Sequence, residues 1–121
     1  MLEKKMNLRH FRLDEFDCQH TGKNEMKPEF LEKLDDLREA CEMPFIITSG
    51  YRAPEHPIEA RKAVAGTHAQ GIACDISARN GVERGRIVKH AIELGFTGIG
   101  VAKTFVHVDI RKGPLVVWQY T

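Results

Sequence analysis

Three short β-prone runs crowd the end of the chain, at residues 98–102, 105–110 and 115–120, with Lys103-Thr104 and Lys112-Gly113-Pro114 as the turns between them. The helical patterns lie earlier. Pro28 suits a first helical turn, where its missing N–H costs nothing. Phe30, Leu31, Leu34, Leu37 and Cys41 then recur at three- and four-residue steps until Pro44 stops the pattern. A second helix is expected over 82–94, with Ile87, Val88, Ala91 and Ile92 inward and Gly95 as its stop. Further strands are expected at 45–48 and 72–76. Helices first and strands clustered last exclude a regular βαβ alternation. They predict an α+β fold, a small, mostly antiparallel sheet lining a cleft with two helices packed behind it.

The chain has 121 residues, which predicts one small domain over 1–121. Apolar residues at 42% and charged residues at 29% exclude a disordered chain. Lys plus Arg number 18 against 17 Asp plus Glu, so no basic excess points to nucleic acid. No apolar run approaches the roughly 20 residues that span a bilayer, which predicts no membrane insertion. The first residues carry charges without a following apolar stretch, so no secretory signal is expected and the product is cytoplasmic as synthesised. Cys18, Cys41 and Cys74 are odd in number and far apart, which predicts buried, reduced thiols rather than a disulfide framework. Phe11, Leu13 and Phe16 are expected to pack a loop over 11–24 onto the core. Residues 53–67 read as a long irregular loop with one helical turn, of the kind that often carries function. Glu55 and Glu59 are expected there as solvated groups or partners of Arg61 or Lys62, and Trp118 and Tyr120 as core packing or a sheet edge rather than a sugar-stacking platform.

The chemistry concentrates at His68 and Asp75, with Gly71 and Ala73 between them, and at His107 and Asp109 far downstream. Two neutral imidazoles and one carboxylate, from His68, Asp75 and His107, suit a divalent zinc ion and leave a fourth position open for water. Alternation over 105–110 sends Val106, Val108 and Ile110 to the core and Phe105, His107 and Asp109 to the cleft. Asp109 is then placed either to take a proton from metal-bound water or to orient a ligand from behind. The same His-x-Asp pair occurs in non-haem iron oxygenases, but there the distant His follows the pair, and no His follows residue 109.

The ordered set Ser49-Gly50-Tyr51-Arg52, His68-x6-Asp75 with Gly71 and Ala73 inside it, and His107-x-Asp109 resembles the D-alanyl-D-alanine carboxypeptidase-like zinc peptidases. That family spans vancomycin-resistance dipeptidases, phage endolysins and the zinc fold of hedgehog domains. Glu15-Phe16-x-Cys18 extends the likeness to the short phage and prophage members. The resemblance implies one zinc per chain on His68, Asp75 and His107, with Asp109 as catalytic base and Arg52 stabilising the substrate carbonyl or carboxylate. Arg52, His56 and Thr67 would contact substrate. The implied substrate is a peptidoglycan stem peptide, cut at D-Ala-D-Ala, L-Ala–D-Glu or a cross-link by a monomer. Without a signal it would reach the wall through a holin or within a particle, or remain in the cytoplasm. Two positions depart from the pattern. Gly66 stands where many members carry Ser, and Lys103-Thr104 stands where larger members carry a carboxylate or His. The alternative implied by these departures is a non-catalytic zinc-containing binding or virion module of the same fold.

Overall fold

The computed structural model describes residues 8–62 and 66–120. The N-terminal signal reading falls on residues 1–7, outside the described residues, as does the stretch 63–65 of the long loop.

A five-stranded sheet carries two helices on one face. The strands are β1 (Ile47–Ser49), β2 (Ala73–Ser77), β3 (Gly98–Val101), β4 (Phe105–Asp109) and β5 (Val116–Gln119), in spatial order β1-β2-β4-β3-β5. All pairings are antiparallel except β3 with β5. The helices are α1 (Pro28–Cys41) and α2 (Gly81–Glu93). The α+β expectation therefore holds, with one parallel pair at the edge.

Alternation explains the two faces. Cys74, Ile76, Ile99, Val106 and Val108 are buried against the helices. On α1, Phe30, Leu31, Leu34 and Leu37 are fully buried, each contributing about 1.5–3 kcal/mol of transfer free energy. Phe30 meets Phe96 edge-on with ring centroids 6.2 Å apart. The helix ends at Glu42, which takes a left-handed conformation ahead of Pro44. On α2, Asn80 caps the start by accepting the Glu83 N–H. All three cysteines are free and buried.

Some expectations shift. The first strand lies at 47–49 rather than 45–48, because Phe45 packs into the core ahead of the ladder. Ile92 is 45% exposed, since it lies round the helix from the stripe that buries Ile87 and Ala91. Leu13 sits outward on the 3-10 turn Leu13–Phe16, while Phe11 and Phe16 are buried.

Asp35 is the one buried charge on α1. It accepts the Arg9 N–H at 2.9 Å, the Arg9 Nε–H at 3.0 Å and the His10 N–H at 3.0 Å, tying the N-terminal segment to the helix. Burial pushes its pKa up, but these donors outweigh it and hold the carboxyl below its ordinary value. A depressed folded pKa contributes stability above about pH 4 that is lost as pH falls through the folded value. Asp35→Asn is therefore expected to cost about 1–3 kcal/mol at pH 7 in urea unfolding. The gap to the parent protein should close in acid; a gap independent of pH would refute the assignment.

Candidate metal centre

On the face away from the helices, the central ladder places Asp75 of β2 directly opposite His107 of β4. The third group comes from the loop that crosses this face. Gly71 turns that loop at φ +76°, and its carbonyl accepts the Lys27 N–H at 2.8 Å. A Cβ at Gly71 would lie 2.2 Å from the Glu25 carbonyl oxygen, so only glycine passes here. The turn brings His68 over β2, where the Arg52 N–H donates to the His68 carbonyl at 3.3 Å.

The ligating atoms of His68, Asp75 and His107 all lie within 4.8 Å of one another, and all three residues are buried. His107 Nδ1 is 3.1 Å from Asp75 Oδ1 and 3.2 Å from His68 Nε2. His68 Nε2 is 3.3 Å from Asp75 Oδ1. The outer nitrogens fix the tautomers. His68 Nδ1–H donates to the Gly50 carbonyl at 2.8 Å, and His107 Nε2–H donates to Asp109 at 2.7 Å. Each inner nitrogen therefore presents a lone pair to the same point as a carboxylate oxygen. Three electron-rich atoms this close repel unless a proton or a cation sits among them. A two-nitrogen, one-oxygen set with fixed tautomers fits zinc.

The titration behaviour follows. Burial pushes Asp75 up, but His107 and His68 outweigh it and hold the carboxyl well below its ordinary range. Burial pushes His107 down, but Asp109 and Asp75 outweigh it, so its pKa is raised. A cation entering the cluster displaces that proton, which makes loading easier as pH rises.

Asp109 has no exposed surface. Besides His107 it accepts the Arg111 N–H at 3.0 Å, the Arg111 Nε–H at 3.0 Å and the Arg111 Nη2–H at 2.6 Å. It lies behind His107, at the nitrogen that faces away from His68 and Asp75. Arg52 reaches the cluster, with Nη2 3.7 Å from Asp75 Oδ2 and Nη1 3.9 Å from Glu59 Oε2. His56 stands at the flank of the cluster, within electrostatic range of Arg52 and His68; its ring faces His20 at 6.0 Å and its Nδ1 accepts the Ile58 N–H. Thr67 lines a neighbouring groove with Glu25, Lys27, Gln70 and Arg111, a groove none of the three cluster residues lines.

Three participants were not legible beforehand. Glu59 pairs with Lys62 at 2.9 Å, one of its expected partners, but it is buried rather than solvated and also accepts the Gly66 N–H at 3.0 Å. A Cβ at Gly66 would meet only the flexible tip of Lys62, Nζ at 2.6 Å, which can move aside. Arg111 continues the alternation of Phe105, His107 and Asp109, which was the available signal. Trp118 packs on His107, with ring centroids 5.2 Å apart, rather than on the core.

Compared with known families, residues 9–109 match the one described as Peptidase M15. No curated protein matches the chain.

Proposed function

Because the chain belongs to the peptidase M15 family, we propose that it is a zinc metallopeptidase that hydrolyses an amide bond in the stem peptides of peptidoglycan. The carrying observation is the convergence of His68 Nε2, Asp75 Oδ1 and His107 Nδ1 beside the Arg52 guanidinium. Zinc held there supplies Lewis acidity and a water of lowered pKa.

The chain's own residues do the rest. His68 and His107 offer neutral nitrogens in fixed orientation, and Asp75 offers charge. Arg52 makes no side-chain hydrogen bond among the described residues, and Asp75 and Glu59 hold it from both sides at ion-pair distance. Among the described residues, its donors are thus open to a substrate carbonyl or carboxylate, and to the negative charge that develops on attack. Of the two roles open to Asp109, burial and full occupation of its oxygens favour orienting His107 over accepting a proton from water. His56 and Thr67 belong to the flanks of the cleft in this reading. We place the protein in cell-wall lysis of the phage or prophage type, acting as a monomer with one zinc per chain.

Digestion of purified peptidoglycan, followed by mass analysis, tests this. New stem-peptide termini are expected, abolished by a chelator and restored by zinc, and their masses identify the bond. About one zinc per chain with no new termini would replace the peptidase with a zinc-containing binding module.

A further inference from the structure

The matched family segment ends at Asp109, yet contacts around His107 continue past it. Asp109 bonds His107 Nε2, and Arg111 grips Asp109 through its backbone N–H and guanidinium. The Arg111 guanidinium carbon lies 4.8 Å from the Trp118 ring centroid. Trp118 returns to His107 at 5.2 Å. The four side chains close a ring: His107, Asp109, Arg111, Trp118 and back to His107.

The strand between β4 and β5 is shaped for this ring. Gly98 pairs with Asp109 and Gly100 with His107 on one side; on the other, Gly100 pairs with Trp118. A Cβ at Gly98 would lie 2.2 Å from Asp109 Oδ1, and one at Gly100 would lie 2.6 Å from Trp118 Nε1. Glycine at alternate strand positions marks the close approach of other groups. Here the bare stretch of β3 admits the carboxylate beneath His107 and lets the indole lean across the strand onto the imidazole.

We propose that Arg111 and Trp118 are positioning residues for the metal centre, acting on it only through His107. This rests on the zinc reading above. A carboxylate that nothing holds in turn can rotate away, leaving both the His107 tautomer and the swing of the ring about its bond to Cβ loosely set. The indole against the imidazole restricts that swing, and Arg111 fixes both the carboxylate and the indole. Together they aim His107 Nδ1 at His68 and Asp75.

The test is zinc affinity of the full chain, by competition with a chromogenic chelator. Trp118→Leu and Arg111→Gln are expected to weaken zinc binding about 10- to 100-fold, as loss of groups supporting a metal ligand does. Trp118→Phe, which keeps an aromatic face, should recover most of the loss. Trp118 is the single tryptophan, so its emission should also change as the parent protein takes up one equivalent of zinc. Long-range proton–nitrogen NMR adds a readout in the metal-free protein, taken at alkaline pH where the ring carries one proton: His107 in the Nε2–H form in the parent, mixed forms in Arg111→Gln. This last measurement decides the matter even if Trp118→Leu fails to fold. Unchanged zinc affinity and an unchanged His107 tautomer in the folded variants would overturn the inference while leaving the zinc reading intact. A parent protein that binds no zinc would overturn both.

Discussion

His68→Ala is expected to abolish stoichiometric zinc binding and, with it, peptide hydrolysis. Two ligands would remain, Asp75 and His107, both from one rung of the sheet. Lowering the pKa of water from 15.7 to about 7 is the largest contribution a catalytic zinc makes. Its loss should reduce kcat/KM by at least about a thousandfold, which corresponds to roughly 4 kcal/mol of transition-state stabilisation. The fold should survive, because His68 contributes one hydrogen bond to the Gly50 carbonyl, worth about 1 kcal/mol. Metal analysis of the purified variant and digestion of peptidoglycan read the two effects separately. Retained zinc would remove His68 from the ligand set. Retained cleavage without zinc would remove the metal from the reaction.

The largest expected loss of stability belongs to Asp109→Ala. The substitution strips a fully buried carboxylate from between His107 and Arg111. Removing one partner of a fully buried ion pair typically costs about 3–5 kcal/mol; the Arg111 side chain is 34% exposed and regains water, so the low end, about 3 kcal/mol, is expected. Asp109→Asn keeps the shape and an acceptor for His107 but turns its amide hydrogens toward a guanidinium that can only donate, so it should cost less than Asp109→Ala. The pH dependence carries a definite sign. Burial pushes the Asp109 carboxyl up, but His107 and Arg111 outweigh burial and hold it well below its ordinary value. Its contribution is therefore complete above about pH 4 and declines as pH falls through the depressed folded value. Urea unfolding of chelator-treated protein should show the variant and its parent converging in acid. A loss below about 1 kcal/mol at pH 7 would mean the network relaxes onto other partners.

Local pattern carried much of this architecture. The three- and four-residue steps of Phe30, Leu31, Leu34 and Leu37 specify α1 because a single buried stripe decides a helix. Alternation at Val106, His107, Val108 and Asp109 specifies which face of β4 meets the helices. The convergence of His68, Asp75 and His107 was legible because their residue types and spacing admit few other chemistries. What escaped depended on pairing between segments distant in sequence. Trp118 does lie on the edge strand, as sequence suggests, but its reach to His107 shows only once β5 is known to pair with β3 across Gly100. Glu59 reads as a loop carboxylate until the turn at Gly66 is seen to fold back onto it. The role of Asp109 turns on which imidazole nitrogen faces the cluster, and that is a matter of side-chain rotation which sequence spacing does not encode.

Two of the three candidate ligands sit opposite each other on one rung of the central ladder, and the third arrives on a loop. That division separates what must stay fixed from what is free to change. Lengthening the connection between Arg52 and His68 leaves the Asp75–His107 rung untouched, and doubling a flexible loop adds only about 0.6 kcal/mol of closure entropy. Insertions there would reshape the walls of the cleft while the ion stayed in place. The geometry thus behaves as a socket with an exchangeable rim: new bond preferences are reachable by loop length alone, without rebuilding the sheet.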